Sequence, residues 1–223
     1  MPLTDSEHTR HVSIGASAIL SPVPAVLVSC QGTLPEHARP NLITIAWAGT
    51  VCTQPPMVSV SVKPERYSHA LLEESGCFCI NFVNEALCRA ADFCGVRSGR
   101  DLDKFEVLGL HPLYFPDFPV PALAESPVAL LCRVTEKHPL GSHDQFLARV
   151  EDVRVSPALL DEHGALHLER ASLVSYAHGQ YFGLNPEPLG FFGYSVARQD
   201  VLRRRLGKPA GRSSSKQTER KPL

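Results

Sequence analysis

The sequence predicts a mainly β protein in which short antiparallel strands form a barrel and a few helices are added to it. Short apolar or alternating segments recur along the chain, as is typical of all-β domains. They do not alternate regularly with helical segments, which argues against a parallel α/β fold. The sequence contains no GxGxxG segment and no P-loop, so a bound nucleotide would need another scaffold. We therefore expect an antiparallel barrel with helical additions.

The first two predicted strands lie before residue 50. Ala25–Cys30 is a short apolar run that follows two prolines, and it is typical of a first strand. Leu42–Ala48 alternates in character, with Ile43, Ile45 and Trp47 on one face. This alternation predicts a second strand.

The next elements follow closely. Met57–Val62 alternates valine with serine or methionine and predicts a strand whose entrance is marked by Pro55–Pro56. Tyr67–Glu74 and Glu85–Phe93 have leucine and alanine at helical spacing, and the apolar run Cys77–Phe82 between them predicts a further strand.

The second half contains longer strands. Residues 112–126 include four prolines among aromatic and aliphatic residues, which predicts an ordered extended loop. Val128–Glu136 and Phe146–Val155 predict two strands separated by a turn over Pro139–Asp144. Glu162–Gly164 predicts a hairpin-like turn.

Charged residues are distributed unevenly along the chain. Of 223 residues, 22 are basic and 23 acidic, but eight basic residues and one acidic residue lie between 203 and 221. The remainder carries 14 basic and 22 acidic residues, which argues against a nucleic-acid-binding core. We expect a flexible N-terminus over residues 1–12, one domain over 13–197 and a basic disordered tail over 198–223.

Cysteine content and hydropathy indicate the compartment. The seven cysteines are an odd number without a CxxC pair, and the start of the chain has acidic residues where a signal peptide needs positive charge. The long run Val12–Arg39, which has no charge before Glu36, is interrupted by prolines and polar residues, so it does not predict a membrane helix. We expect a cytoplasmic protein with reduced thiols and without a bound metal.

A phosphate site is one interpretation of the segment that follows the strand Met57–Val62. Arg66 offers a planar set of donors, and Ser68 adds a hydroxyl at the start of a predicted helix, whose N-terminus favours anions. The alternative is that Ser68 only caps the helix and Arg66 is a solvated surface residue.

Two further segments have polar groups suited to a ligand. Cys94–Phe105 combines two glycines, which allow close approach of the main chain, with three cations at Arg97, Arg100 and Lys104. The same composition also occurs in exposed loops. Leu140–Asp144 contains His143, which either faces a ligand or is simply exposed in a turn.

Taken in order, these segments resemble the flavin reductase-like family, the FMN-binding split barrels that include flavoredoxin-type proteins. The resemblance covers about residues 21–196 and implies a split β-barrel, an antiparallel Greek-key barrel of the FMN-binding type. Its motifs are Asn41-x-x-Thr44-x-x-Trp47, Pro55-Pro56, Arg66-x-Ser68-His69, Cys94-Gly95-x-x-Ser98-Gly99-Arg100-Asp101-x-Asp103-Lys104-Phe105, Leu140-Gly141-Ser142-His143-Asp144 and Gly190-Phe191-Phe192-Gly193-Tyr194-Ser195-Val196.

The resemblance implies which residues contact FMN. Ser61, Arg66 and Ser68 are expected at the ribityl chain and phosphate, with Lys104 as a nearby cation and His143 beside the reactive face of the ring. The residues expected at or near the ring and its polar edge are Asn41, Thr44, Trp47 and the main chain of Thr50, Val51 and Cys52.

The resemblance also implies an activity. Hydride would pass from NADH or NADPH to flavin N5, and electrons would then leave to an acceptor such as a partner oxygenase or a redox protein. A homodimer with flavin sites near the subunit interface is expected. Two alternatives are an FMN electron carrier that is reduced by a protein donor, and a non-catalytic split-barrel module.

Overall fold

Seven antiparallel strands form the main sheet of this computed structural model, which describes residues 11–206. Within this range the twelve strands are β1 (Val23–Pro24), β2 (Val26–Cys30), β3 (Asn41–Ile45), β4 (Ala48–Thr53), β5 (Pro56–Val62), β6 (Cys77–Phe82), β7 (Pro112–Phe115), β8 (Phe118–Leu123), β9 (Val128–Pro139), β10 (Asp144–Val155), β11 (Val174–Ala177) and β12 (Gln180–Gly183). The helices are α1 (Tyr67–Ser75), α2 (Cys88–Val96), α3 (Lys104–Leu108) and α4 (Gln199–Leu206).

The main sheet curls into a half-barrel. Its strand order is β3-β2-β6-β9-β10-β5-β4, and every neighbouring pair is antiparallel. The two longest strands, β9 and β10, shift register at two points along their pairing. Such irregularities bend a strand and increase its twist, which allows a sheet of this width to curl. The predicted mainly β split barrel is therefore confirmed.

The core lies on both faces of the curled sheet. Inside the curl, the valines of β5 pack with Phe78, Phe146 and the buried leucines Leu71 and Leu72 of α1. A second apolar cluster packs α2 and α3 against the opposite side of β2 and β3. Because alternate residues of a strand point to opposite faces, β2 and β3 supply apolar residues to both clusters.

Most predicted elements are found in the structure. The strand Cys77–Phe82 agrees at both ends, and those predicted over 25–30, 57–62, 128–136 and 146–155 correspond to β2, β5, β9 and β10. Both predicted helices are present, although the second begins as a short 3₁₀ turn at Glu85–Leu87. The turn after Asp161 is also found, with Gly164 N–H donating to Asp161 C=O at 3.0 Å.

Two predictions, one of a strand boundary and one of a loop, were wrong. The strand predicted over Leu42–Ala48 ends at Ile45, and Ala48 begins the separate edge strand β4, which the sequence analysis missed. The residues of β4 are small or polar and largely exposed. They therefore lack the alternation of apolar and polar residues by which a strand is predicted from sequence. The loop predicted over 112–126 is instead a hairpin of β7 and β8, which lies outside the main sheet. Its prolines suit a two-stranded ribbon because few ladder donors are needed there.

A small third sheet brings together distant parts of the chain. Its order is β1-β11-β12, with Val23 opposite Tyr176 and Tyr176 opposite Tyr181. The turn between β11 and β12 has positive φ at His178 (47°) and Gly179 (85°). Positive φ at both central residues is the geometry of a tight two-residue hairpin turn.

The chain divides into two units, of which the second begins at Asn185. Within the second unit, the Arg205 guanidinium lies 4.8 Å from the ring centre of Phe191. The basic disordered tail over 198–223 stays a prediction: α4 lies within it, while 207–223 and the first ten residues lie outside the described range. Between residues 11 and 206, no helix has the length and apolar character needed to cross a membrane.

Candidate functional site

Two cavities lie side by side at one end of the half-barrel and have Arg66 in common. The large cavity has a volume of 660 Å³, and its lining includes Thr44, Trp47, Ser61, Arg66 and His143. The small cavity has a volume of 210 Å³ and is lined by polar residues of β3, α1 and the loop after α2. Arg66 precedes α1 directly, so one side chain lines both cavities.

The wall of the small cavity contains a buried polar pair. Asn41 begins β3 and is 3% exposed, and Ser68 in the first turn of α1 is 2% exposed. Asn41 Nδ2 donates to Ser68 Oγ at 2.8 Å. The residue at the N-cap position of α1 is Arg66, so Ser68 is not the helix cap that the alternative interpretation required. Ser68 instead faces the cavity next to the free N–H groups of the first helical turn.

Arginines surround the small cavity. Arg66, Arg97 and Arg100 all line it. Arg100 Nη1 donates to the main-chain oxygen of Glu65 at 3.0 Å, whereas the guanidinium groups of Arg66 and Arg97 have no hydrogen-bond or ion-pair partner among the described residues. Glu65 also lines the cavity, but its carboxylate lies 3.8 Å from Lys63 Nζ. Two unpaired guanidinium groups at a helix N-terminus therefore form a site suited to an anion.

Lys104 plays a different part from these arginines. It is 2% exposed, and its Nζ donates to the main-chain oxygens of Leu42 at 2.6 Å and Cys94 at 2.9 Å. Burial lowers the pKa of Lys104. Two of the three ammonium protons therefore hold β3 and the end of α2 together, and one proton remains for the small cavity that Lys104 lines.

Gly99 allows the loop after α2 to approach β3 closely. A Cβ at position 99 would overlap Asn41 Oδ1 and lie 2.9 Å from Tyr67 Cδ1. Arg39 Nη2 holds the loop in this position by donating to Gly99 C=O at 2.6 Å. The main chain thus forms one side of the small cavity where no side chain fits.

The large cavity combines aromatic and hydroxyl groups. Trp47 and His143 pack edge to face with ring centroids 4.7 Å apart, and Ser142 Oγ lies 2.9 Å from His143 Nδ1. Ser61 N–H donates to Trp47 C=O at 3.0 Å and thereby fixes the bend between β3 and β4. Thr44 Oγ1 donates to Ala91 C=O, which orients its side chain at the edge of the cavity.

The protonation of His143 depends on its surroundings. Burial, followed by the nearby ammonium of Lys63, lowers the pKa of His143. The imidazole is therefore neutral at neutral pH, with one nitrogen as a donor and one as an acceptor.

Three residues expected at the polar edge of the ring, Thr50, Val51 and Cys52, belong to β4. They are absent from the described lining of both cavities. Their predicted role stays a prediction. The remaining expected residues line one of the two cavities or, as Arg66 does, both.

A buried pair links the walls of the two cavities. His69 follows Ser68 and Asp144 follows His143, and His69 Nε2 lies 2.8 Å from Asp144 Oδ2. His69, Glu73 and Asp144 have the donor atoms of a metal site, but Lys137 pairs with both carboxylates, at 3.5 Å in the case of Asp144. The group is therefore an ion-pair network that holds the turn before β10 against α1.

One side of the large cavity was not predictable from the sequence. It consists of residues 18–21 together with Val23, Tyr176 and Tyr181 of the small sheet. No local signal marks these residues, because the pairing of β1 with β11 joins segments about 150 residues apart.

Known proteins resemble this chain in sequence and in fold. The description "Flavin reductase like domain" applies to the family whose profile matches residues 19–185. FMN reductase (NADH) RutF 1 of Methylorubrum extorquens is 28% identical over 159 residues, which cover 69% of this chain and 75% of that protein. An uncharacterized protein of Aeropyrum pernix is 30% identical over 136 residues, or 60% of this chain, and the match spans only 50% of that relative.

A solved structure supports the same assignment. Flavoredoxin of Desulfovibrio vulgaris (Miyazaki F) superposes with a TM-score of 0.77 at 29% identity, and the alignment covers 84% of this chain and 100% of that one. The family match extends over most of the chain and includes every strand from β1 to β12. The chain belongs to the flavin reductase like domain family.

Proposed function

We propose that this chain is an FMN-binding oxidoreductase whose flavin is reduced by NADH or NADPH. The observation that carries the proposal is the pair of adjoining cavities with Arg66 in common, one lined by unpaired guanidinium groups and one lined by aromatic and hydroxyl groups. A phosphate monoester joined to a planar ring needs this combination of sites. The relative that bears the name FMN reductase (NADH) supports NADH as the donor.

The residues of the small cavity fit the phosphate. Arg66 and Arg97 have donors free among the described residues, Ser68 adds a hydroxyl, and the close approach at Gly99 leaves the main chain accessible. Lys104 also lines this cavity, and its remaining proton can contribute positive charge there. Asn41, which the resemblance placed near the ring, lines the small cavity instead. In the proposed complex it orients Ser68 at the phosphate through their hydrogen bond.

The residues of the large cavity would hold the ring and the ribityl chain. Thr44 and Ser61 supply hydroxyl groups, and Trp47 packs nearby. The main chain of Thr50, Val51 and Cys52 is proposed at the polar edge of the ring. When bound, FMN supplies the redox chemistry by accepting hydride at N5 and passing electrons onward.

We propose that His143 is a catalytic residue that contacts the nicotinamide or the flavin ring. Its neutral imidazole can donate and accept a hydrogen bond at neutral pH without adding charge. We expect His143→Ala to slow anaerobic reduction of bound FMN more than it weakens FMN binding. Stopped-flow reduction and fluorescence titration measure the two effects separately, and an unchanged reduction rate would remove His143 from this role.

In the central experiment, the FMN-loaded protein is mixed with NADH or NADPH in the absence of oxygen. The visible absorbance of the oxidised flavin is then followed by stopped flow. Bleaching by either nucleotide is expected. If FMN stays bound and neither nucleotide bleaches it, the reductase proposal is wrong. Failure to bind FMN at all would favour a non-catalytic split-barrel module.

An electron carrier is the second candidate, and the likeness to a flavoredoxin favours it. In that case FMN would stay bound and would be reduced by a protein donor rather than by a nucleotide. The proposed reductase would instead supply electrons to a partner oxygenase or redox protein. We propose a cytoplasmic homodimer in either case, in keeping with the seven free cysteines.

A further inference from the structure

The large cavity has a second wall that the proposed contacts with FMN leave unused. In the small sheet, Val23 of β1 pairs with Tyr176 of β11, and Tyr176 pairs with Tyr181 of β12. Directly opposite residues of antiparallel strands share one face of the sheet. Val23, Tyr176 and Tyr181 therefore form a row, here called the tyrosine wall, and all three line the cavity.

The tyrosine wall offers apolar rings together with free hydroxyl groups. The two rings are half-buried and pack edge to face with centroids 5.3 Å apart. Neither hydroxyl has a hydrogen-bond partner among residues 11–206, although half-buried tyrosines usually have one. Burial, followed by the nearby carboxylate of Asp92 in α2, raises the pKa of Tyr181, so its hydroxyl stays protonated at neutral pH. Two donors are thus available to a ligand.

The position of the wall is fixed by the chain itself. Ala177 pairs with Gln180 across the two-residue turn, in which His178 has a φ of 47° and Gly179 a φ of 85°. A non-glycine residue with positive φ is uncommon and persists where the surrounding structure holds it. The tight turn keeps Tyr176 and Tyr181 in register, and His178 lines the cavity at the tip of the hairpin.

The charged side chains of the large cavity come from one part of its lining. Lys63 and Arg66 precede α1, whereas residues 18–25 and 176–181 contribute no acidic or basic side chain to the described lining apart from the imidazole of His178. Asp92, outside the lining, adds negative charge near Tyr181. An anionic group would therefore bind near Arg66, and a ligand part at the tyrosine wall would be uncharged.

We propose that the tyrosine wall binds a second planar ring, uncharged and with a hydrogen-bonding edge, beside the flavin. The inference rests on the proposed function, because a second ring is needed only where FMN occupies the cavity. This chemistry fits either the carboxamide-bearing nicotinamide of the donor or an aromatic electron acceptor. Binding changes no covalent bond, so the tyrosines are positioning groups for whichever ring is present.

The experiment uses Tyr176→Phe and Tyr181→Phe, which remove only the hydroxyl groups, in the FMN-loaded full chain. Tyr114→Phe is the matched control, since its hydroxyl lies outside the cavity and donates to Gln31 at 3.2 Å. One arm measures the NADH and NADPH concentrations that half-saturate anaerobic flavin reduction. The other reduces the flavin with dithionite and measures the 1,4-benzoquinone concentration that half-saturates its reoxidation.

We expect each cavity variant to raise one of these half-saturation concentrations roughly five-fold, the effect of one neutral hydrogen bond, with the Kd for FMN unchanged. A rise in the first arm alone identifies nicotinamide, and a rise in the second arm alone identifies an aromatic acceptor. The inference is wrong if neither concentration differs from that of the Tyr114 control, or if the Kd for FMN rises equally. Wild-type protein that no nucleotide reduces would contradict the proposed function, while the quinone arm would still test the wall.

Discussion

Arg66 connects the two cavities, and its side chain is the simplest test of the phosphate site. Its guanidinium has no partner among the described residues, so its removal should leave the fold intact. We expect Arg66→Ala to weaken FMN binding by about 2 kcal/mol, or roughly thirty-fold in Kd, as for a charged hydrogen bond. Fluorescence titration measures the change, and Arg149→Ala on the exposed side of β10 is the control. Equal affinities in the two variants would remove Arg66 from the site.

Gly99 tests the close approach of the loop to β3. An added Cβ would overlap Asn41 Oδ1, so the loop or the pair formed by Asn41 and Ser68 must move. We expect Gly99→Ala to weaken FMN binding roughly tenfold, the scale of moderate overpacking. Val96→Ala is the control, because this exposed residue lies in the same segment without lining the small cavity. Unchanged affinity after Gly99→Ala would show that the close approach is not needed for binding.

The roles of individual residues were only partly predictable from the sequence. Arg66 and Ser68 lie next to each other in the chain, so a phosphate site could be suggested from their chemistry and the predicted helix. The buried contacts of Lys104 could not be predicted, since its two acceptors are main-chain oxygens of β3 and α2 that fold against it from other segments. The place of Tyr176 and Tyr181 in the cavity wall could not be predicted either, because a tyrosine in a hairpin is usually interpreted as ordinary packing.

Among the elements, the loop between β2 and β3 depends on one carboxylate of α1. Glu74 accepts hydrogen bonds from the main-chain N–H groups of Thr33 and Leu34, and its Oε2 lies 2.6 Å from His37 Nδ1. Partial burial acts to raise the pKa of Glu74, but these hydrogen bonds outweigh it and lower the pKa from 4.5 to about 2. The carboxylate thus fixes a loop that has only a short 3₁₀ turn of its own.

This pKa predicts a pH-dependent contribution to stability. Because the folded-state pKa lies below the unfolded value, the contribution is present above pH 4.5 and is lost as pH falls toward 2. We expect Glu74→Gln to lower the urea midpoint of unfolding at about pH 7, and the difference from wild type to shrink at about pH 3.5. Glu106→Gln, an exposed substitution on α3, is the control. A difference that is constant with pH would exclude the carboxylate as the cause.

Elements with strong apolar patterns were predictable, and those without were not. Cys77–Phe82 is buried along its length, so its composition alone identifies β6. β4 lies at a sheet edge, where exposed small residues are tolerated and no alternation is required. The end of β3 at Ile45 depends on the bend that Ser61 N–H stabilises at Trp47 C=O, a contact between segments that pattern analysis treats separately.

At the scale of the whole molecule, the site exists only because the sheet curls. The residues of the two cavities come from the N-terminal segment, β3, the start of α1, the loop after α2, the turn before β10 and the hairpin of β11 and β12. Their order along the chain was visible in the family resemblance, but their arrangement into two adjoining cavities follows from the strand order of the sheet. Sequence patterns describe strands and helices, whereas strand order depends on long-range pairing.

The basic residues concentrated at the C-terminal end lead to a last prediction. The two cavities are lined by residues from Ala18 to Tyr181, and the family match ends at residue 185. Truncation after Gly207 removes five basic residues and Glu219. We expect the truncated protein to keep its FMN content and its rate of anaerobic reduction, because the phosphate contacts proposed here come from Arg66 and Arg97. The absorbance ratio of bound flavin to protein, measured beside the full chain at low and high salt, tests this. Loss of FMN that is confined to low salt would show that basic residues after 207 attract the cofactor through long-range charge.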